Sequence, residues 1–457
     1  MKNFVHRLRD LDETIAAVAT PPGEGGVAII RISGKDAISV GDRVFSGPVK
    51  EYKSHTAHVG KVVDEQGAFI DEVLLLPMHS PRSYTGEDTI EIHCHGGSLI
   101  TRKVLETVLR AGARLAEPGE FTYKAFMHGK LDLAQAEAVQ ELISARSELA
   151  LHFAEQQLHG VLSKEIAAFQ KELVDIAAIL EAWVDFPEEG LEFASQEDIL
   201  ATLTQIQTRI GKLSRSFHEG KKLHQGFSLS LIGPPNAGKS SLMNALLKKE
   251  RAIVTEIPGT TRDLLEEELS LGALNFRLID TAGIRATEER IEREGIARSK
   301  AALEDADLVL LVFDATRGIE DPELLAQARK KKAILIWNKI DLLSNGPSRV
   351  DGITTISVSA KERTGLEELK NAIEQLIWQN GAPSKEEVLI TSMRQRQALL
   401  EAEEALAQLI QGLQGGVSPE FLSSEMRRAL SALGTIIGTN ITEDILSAIF
   451  SKFCVGK

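Results

Sequence analysis

Apolar residues recur along this chain with two different periods, and the change of period marks its parts. From about residue 12 to 125, short alternating segments (residues 27–32, 73–76 and 89–93) lie between glycine turns such as Pro21-Pro22-Gly23-Glu24-Gly25-Gly26. Period-two alternation bounded by turn residues predicts half-buried strands, so residues 1–125 read as an α/β domain. From Leu131 the period lengthens: Leu131, Ala134, Ala138, Leu142 and Ala145 recur at helical spacing, and the pattern runs with breaks to about His218. It resumes with Leu399, Ala402, Leu406, Leu409 and Leu413, then over residues 421–433 and 441–453. Such spacing places one face of each helix on a core. Neither stretch need form a complete core by itself. The economical arrangement is one discontinuous helical domain, residues 126–225 and 384–457, carrying an inserted module over residues 226–383 through closely spaced ends. In the insert, strand-like and helix-like runs alternate, and residues 264–271 and 274–280 flank Gly272-Ala273 as a hairpin. A mostly parallel sheet with one antiparallel edge follows. The fold class is multidomain α/β plus all-α.

Composition narrows the setting. A chain of 457 residues has room for about three domains. Its two cysteines, Cys94 and Cys454, cannot build a disulfide framework, which fits a reducing cytoplasm. The longest apolar runs, such as residues 308–313, are too short to span a bilayer, and the first ten residues lack the apolar core of a signal peptide. The expectation is therefore a cytoplasmic protein with no membrane contact. A net charge of -14 argues against a large nucleic-acid footprint, which needs clustered Lys and Arg. The basic knots (Lys248-Lys249, residues 330–332, Arg427-Arg428) read as solvated helix ends, so any RNA contact is local or supplied by a partner.

The chemistry is concentrated in the insert. Gly233-Pro234-Pro235-Asn236-Ala237-Gly238-Lys239-Ser240 fits the phosphate-binding loop G-x-x-x-x-G-K-[ST], with an alternating strand before it and a helix-forming stretch from Ser241 behind. Glycines let backbone N–H groups curl around phosphates, the helix N-terminus favours negative charge, and Lys239 reaches the outer phosphates. Asp280-Thr281-Ala282-Gly283 ends a strand, where the aspartate can hold a magnesium-bound water. In Gly259-Thr260-Thr261-Arg262-Asp263, Thr260 or Thr261 can sense the third phosphate. Asn338-Lys339-Ile340-Asp341 ends another strand, and the Asp341 carboxylate can accept from N1–H and the 2-amino group of guanine, which adenine would leave unpaired. Ser359-Ala360-Lys361 follows the next strand and would close over the base. Each motif is weak alone. Together, in order, within about 130 residues, they specify a Ras-like P-loop GTPase module.

How this module would hydrolyse GTP is less direct. Small signalling GTPases place a water-orienting glutamine just after the D-x-x-G glycine. Here that position is Ile284, which cannot orient water. Asn236 is either a solvated loop residue or a ligand for a monovalent cation near the β- and γ-phosphates, with carbonyls from Thr255-Glu256-Ile257-Pro258-Gly259 as further ligands. Within the acidic run Glu288, Glu289, Glu292 and Glu294, Glu292 is a candidate for the water, against the plain reading of a solvated helix face. Outside the insert, His93-Cys94-His95-Gly96-Gly97 suggests metal ligands at first sight. On a strand His93 and Cys94 point to opposite faces, so a strand-to-helix turn is the better reading. Cys454, in Phe453-Cys454-Val455-Gly456-Lys457, is either an incidental thiol or a nucleophile.

The asparagine-bearing phosphate loop, the Gly-Thr-Thr-Arg-Asp switch, the insertion into a helical domain and the Cys-Val-Gly-Lys end together resemble the MnmE (TrmE) family of tRNA-modification GTPases. So do residues 21–34, 84–97, 118–121 and 130–138, and the resemblance covers all but the first ten or so residues. It implies a homodimer that forms a heterotetramer with the FAD-dependent flavoprotein MnmG (GidA). The pair would add a carboxymethylaminomethyl or aminomethyl group at C5 of the wobble uridine of certain tRNAs. The one-carbon unit would come from a tetrahydrofolate derivative (5,10-methylene- or 5-formyl-tetrahydrofolate) in the N-terminal domain, with contacts falling here on Arg31, Glu91, Lys130 and Lys457. K+ would sit against Asn236, Thr255, Ile257 and Thr260, and Mg2+ against Ser240 and Thr261. Glu292 falls at the family's water-activating glutamate, and Cys454 at its distal cysteine. Pro234 departs from the pattern, standing where many members carry arginine. Two competing readings remain: an Era-like ribosome-assembly GTPase, which needs a G-x-x-G RNA module that residues 384–457 lack, and a regulatory scaffold without chemistry of its own.

Overall fold

The computed structural model describes residues 12–185, 195–249, 268–272, 274–279, 306–344, 346–347, 349–378, 381, 383–384 and 386–456. Its first part is a sheet of β1 (Ile15–Val18), β2 (Gly25–Ser33), β3 (His58–Val63), β4 (Phe69–Met78), β5 (Thr89–Gly96) and β6 (Arg114–Leu115), ordered β3-β4-β5-β2-β1-β6. All neighbours are antiparallel except β1 and β6. Helices α1 (Ala37–Val44) and α2 (Ser98–Arg110) cover one face, burying Ile30, Ile32, Leu75, Ile90 and Ile92 against Val40, Val104 and Val108. Because side chains alternate along a strand, Val59, Leu74, His93 and Arg31 come to the opposite face. Strand β1 escapes the period-two reading because it is covered on both sides: Ala16 faces the helices, while Ile15 and Ala17 pack on Phe121 of α3 (Glu120–Met127).

Helices α4 (Leu133–Ser144) and α5 (Glu148–Leu158) lead into a four-helix core. It is built from α6 (Val161–Asp185), α7 (Gln196–Arg215), α12 (Met393–Gly415) and α13 (Pro419–Ile437). Phe169, Leu173, Leu203 and Ile206 from the first pair meet Leu399, Leu406, Leu409 and Leu433 from the second, all fully buried. The start of α4 is a capping box, in which the Asp132 side chain accepts from the Gln135 amide and the Gln135 side chain from the Asp132 amide. Leu131 and Ala145, which share the helical spacing, fall just outside α4.

Between α7 and α12 lie α8 (Phe217–Gln225) and a second sheet. Its strands are β7 (Phe227–Ile232), β8 (Glu268–Leu271), β9 (Leu274–Ile279), β10 (Leu308–Asp314), β11 (Ala333–Asn338) and β12 (Thr354–Ser357), ordered β12-β11-β10-β7-β9-β8. Only the edge pair β8–β9 is antiparallel. Helices α9 (Lys239–Lys249), α10 (Pro322–Ala328) and α11 (Leu366–Ile377) accompany it. This core is not closed by its own residues: Phe153 of α5, Leu223 of α8 and Leu389 pack among Phe227, Phe276 and Ile373. Lys222 Nζ also reaches Asp307 Oδ1 at 2.7 Å. The last described helix, α14 (Glu443–Phe450), returns to α3, with the Phe450 ring edge-on to Tyr123.

Chain segments 250 or more residues apart are tied just after the insert returns to the helical core. Glu137 of α4 accepts from Arg394 Nη2 and Gln395 Nε2, both at 2.8 Å. One turn on, Glu141 accepts from the Thr391 hydroxyl. Burial pushes the Glu141 carboxyl up; the Thr391 bond opposes that and the neighbouring Glu137 charge adds to it, leaving it at about 7. An acid whose folded-state pKa is raised contributes stability fully present below about 4.5 and lost as pH rises through about 7. Glu141→Gln keeps an acceptor for Thr391 and removes the titration. Its melting temperature, followed by circular dichroism between pH 5 and 8, is expected to vary less than that of the parent and to exceed it by roughly 2–4 °C at pH 8. Parallel profiles would refute this assignment.

Candidate functional site

Four loops at the carboxyl ends of the second sheet's strands converge. The chain leaves β7 at Gly233, which has φ 154° and lies so close to β10 that a Cβ would collide with the Val312 carbonyl oxygen. Asn236 has φ 60° and is exposed, while Ala237 is fully buried. Gly238 has φ 89°, and a Cβ there would strike the Asn338 amide. Lys239 opens α9, and its Nζ donates to the carbonyls of Gly233 at 2.7 Å and Pro234 at 2.8 Å. Burial pulls its pKa down. Ser240 and Ser241 follow in the first turn of α9 and are exposed.

The other loops fix this one. Asn338, 1% exposed at the end of β11, donates from Nδ2 to Ala237 O at 2.9 Å and Gly238 O at 3.4 Å. Its Oδ1 accepts from the Ala360 amide at 3.1 Å. Lys339, with φ 65°, donates to Asn236 O at 2.7 Å and Asp314 Oδ2 at 2.8 Å. Three consecutive carbonyls of the glycine loop are thus held from β11. Burial pushes the Asp314 carboxyl up, but hydrogen bonds from Lys339 and Thr316 outweigh it and hold it down at about 2. The sequence motifs missed Asp314; its place at the end of β10, level with Asn338 in the β10–β11 register, was the available signal. Ser359 is fully buried and its hydroxyl donates to Asp341 Oδ1 at 2.6 Å, orienting the carboxylate proposed to meet a base. Lys361 is exposed beside Glu362. A buried asparagine that serves two loops at once can organise a pocket in which backbone donors meet phosphates and a carboxylate meets a base edge. Thr255, Glu256, Ile257, Pro258, Gly259, Thr260, Thr261, Asp280, Thr281, Ala282, Gly283 and Glu292 lie outside the described residues.

A second constellation forms on the open face of the first sheet. Arg31 donates through Nε and Nη2 to Glu91 Oε1 at 2.9 and 2.8 Å and through Nη1 to Gly456 O at 3.3 Å. Its guanidinium carbon lies 5.8 Å from the centroids of both the Tyr84 and Phe121 rings. Glu91 Oε2 pairs with His93 Nε2 at 3.3 Å. Burial raises the Tyr84 pKa against the opposing effects of its Thr122 hydrogen bond and the Arg31 charge. The loop carrying Tyr84 is held by Lys124, 1% exposed, whose Nζ donates to Glu87 Oε2 and Glu13 O, each at 2.9 Å. Neither Lys124 nor Glu87 carries a motif that would single it out in the sequence. Lys130 is exposed and donates to Pro81 O at 3.1 Å, which places it on the same loop. Cys454 is exposed, its carbonyl accepting from the Gly119 amide at 3.4 Å, and Lys457 lies outside the described residues. His93 and Cys94 do face opposite ways: Cys94 is buried, with Sγ 3.5 Å from Ala28 O. Strand β5 ends at Gly96, and Gly97 caps α2, the strand-to-helix turn read from the sequence.

Asn338→Ala removes the donors to Ala237 and Gly238 and the acceptor for Ala360. Titration with a fluorescent guanine nucleotide is expected to show affinity weakened about 10- to 100-fold, that is about 1.4–2.8 kcal/mol. Unchanged affinity would mean that the loop holds its shape without this tie. Lys124→Met leaves the Glu87 carboxylate without its buried partner, so stability measured by denaturant should fall by about 3–5 kcal/mol. Adding Glu87→Gln should recover most of that loss, and a double variant no better than the single one would contradict a pairwise origin.

Comparison with known proteins places these two constellations in one context. Residues 133–454 match the family described as the MnmE helical domain, and residues 14–130 match the GTP-binding protein TrmE N-terminus. A tRNA modification GTPase MnmE from Protochlamydia amoebophila (strain UWE25) is 60% identical, covering 99% of this chain and 100% of that protein. One from Chlamydia trachomatis serovar A is 44% identical over 98% of this chain and 99% of that protein. Among solved structures, the FeoB G-domain from Methanococcus jannaschii is 30% identical with a TM-score of 0.26, covering 33% of this chain and 97% of that one. With near-complete coverage at this identity and both family regions in order, the chain belongs to the MnmE (TrmE) family of tRNA modification GTPases.

Proposed function

We propose that this chain is a potassium-dependent GTPase that works with a flavoprotein of the MnmG (GidA) kind to modify C5 of the wobble uridine of certain tRNAs. Supporting observations come from both sites. For the nucleotide, the observation that carries the reading is the convergence of the glycine loop, the Asn338-Lys339-Ile340-Asp341 loop and Ser359-Ala360-Lys361 on the Asn338 side chain. Lys239 would meet the outer phosphates, the Asp341 carboxylate the guanine edge, and Ser240 with Thr261 a Mg2+ ion. Asn236 fits a monovalent-cation role: it is exposed at the rim of the loop while its main chain is anchored by Lys339. A bound K+ would supply positive charge where other GTPases use an arginine. Thr255, Ile257 and Thr260 would complete that site, and Glu292 would orient the water.

For the tRNA chemistry, the Arg31 cluster fits a folate. Arg31 is a fixed cation flanked by two aromatic faces, and Glu91 beside it offers acceptors for a pterin edge. Lys130 and Lys457 would take the glutamate tail. A bound tetrahydrofolate derivative would supply the one-carbon unit. Homodimerisation, the heterotetramer with the flavoprotein and a cytoplasmic location complete the proposal. No helix among the described residues is long and apolar enough to cross a membrane.

The deciding experiment compares GTP hydrolysis by the purified chain in KCl and NaCl at equal ionic strength, with Asn236→Ala alongside. A potassium-specific rise of about tenfold or more, lost in the variant, is expected and corresponds to about 1.4 kcal/mol or more of barrier lowering. Equal rates in the two salts would sink the potassium reading and point to an external activator.

A further inference from the structure

The Arg31 cluster draws on the two ends of the described chain. Glu91, Tyr84 and Phe121 come from the first sheet and its flanking elements, but the oxygen facing Arg31 Nη1 is the carbonyl of Gly456. Residues 451–456 reach it by following α14 down onto α3 and β1. Two glycines permit the approach, Gly119 beside the start of the segment and Gly456 at the contact itself. Gly119 caps α3 with φ 71°, and a Cβ on it would lie 2.5 Å from the Phe450 carbonyl oxygen and 3.0 Å from Phe453 Cβ. Gly456 has φ 94°, and a Cβ on it would collide with the Val18 carbonyl oxygen and lie 3.0 Å from Ala19 Cα. In each case the first obstacle is backbone, which cannot swing aside as a flexible side chain can. The left-handed φ adds strain for any other residue.

Between the two contacts lies Cys454, fixed through its carbonyl by the Gly119 amide at 3.4 Å while its side chain is exposed. Phe450 and Phe453 supply the adhesion, with Phe450 packed on Tyr123 and Phe126, and Phe453 against Phe450. We infer that Gly119 and Gly456 are positioning residues for the Arg31 site: they let residues 451–456 seat against α3 and β1, which completes the environment of Arg31 and holds the Cys454 main chain in place. The site is thus assembled from the first sheet and a strap, residues 451–456, from the far end of the chain. The ligand consequence rests on the folate reading above.

The test uses the full chain with Gly119→Ala and Gly456→Ala, and with Gly67→Ala as control, because Gly67 also has a left-handed φ of 78° but nothing within 4 Å of its Cβ position. Titration with 5-formyltetrahydrofolate should show Kd weakened about tenfold or more in both variants, at unchanged stoichiometry, with Gly67→Ala within about twofold of the parent. A misfolded fraction would instead lower stoichiometry and GTP hydrolysis together, and that outcome would overturn the positioning role. In a bacterial strain lacking its own family member, tRNA wobble modification should be restored by the parent and by Gly67→Ala and reduced with the two variants, while their GTP hydrolysis stays at the parent rate. Parent-like folate affinity and parent-like modification in both variants would overturn the inference. If the parent itself does not bind 5-formyltetrahydrofolate, the folate reading fails, and the modification result alone decides whether the strap positions the site.

Discussion

At the carboxyl ends of the second sheet's strands, one buried amide ties the glycine loop to two of the loops beside it. Asn338 stands two strands from β7, yet its Nδ2 holds the carbonyls of Ala237 and Gly238 while its Oδ1 holds the Ala360 amide. A peptide unit is planar, so fixing a carbonyl also fixes the N–H on its other edge. The donors of the glycine loop are therefore aimed by a side chain outside it. Lys339 extends the same control to Asn236 and is itself steadied by Asp314. Without these ties, a loop whose residues 236 and 238 both sit at positive φ would have many alternatives open to it. Preorganisation of this kind lets binding energy go to the ligand rather than to ordering the loop.

The rest of the molecule repeats the principle with charges. Glu137 gathers Arg394 and Gln395, and Arg394 goes on to the carbonyls of Thr435 and Ile436, so α4, α12 and α13 meet at a single carboxylate. Lys124, itself buried, likewise collects the Glu87 carboxylate and the Glu13 carbonyl. Buried pairs of this type gain little over apolar packing but penalise severely any arrangement that separates them. They specify which surfaces meet, while leucine-rich faces such as that of α12 supply the bulk of the burial.

What was legible in the sequence follows from how local each signal is. The helices of the four-helix core show their stripe because one face alone is covered, and Leu399, Ala402, Leu406, Leu409 and Leu413 are all buried as their spacing requires. The loops after β7, β11 and β12 each carry their own short motif, and among the described residues these three converge on the Asn338 side chain. Strand β1 was invisible because it is buried on both faces, and β3 because a register shift between Val62 and Val63 interrupts its alternation. The pairings of the supporting charges were illegible for a different reason, even where one member, Lys339, lies in a motif. Lys339 and Asp314 are 25 positions apart, Lys124 and Glu87 37, and a lone charge does not announce its partner across such a distance.

The discontinuous helical core has a consequence for how the protein is made. Helices α6 and α7 present apolar faces whose partners, α12 and α13, end only at Ile437. Roughly 220 residues separate the end of α7 from that point, and at about 5–20 residues per second a ribosome needs on the order of 10–45 s to deliver them. The inserted sheet can form within that delay because its own strands are all in hand by Ser357. The first helical pair cannot, and it waits with Phe169, Leu173, Leu203 and Ile206 uncovered. The nascent chain therefore offers a chaperone a client surface whose lifetime is set by the length of the insertion.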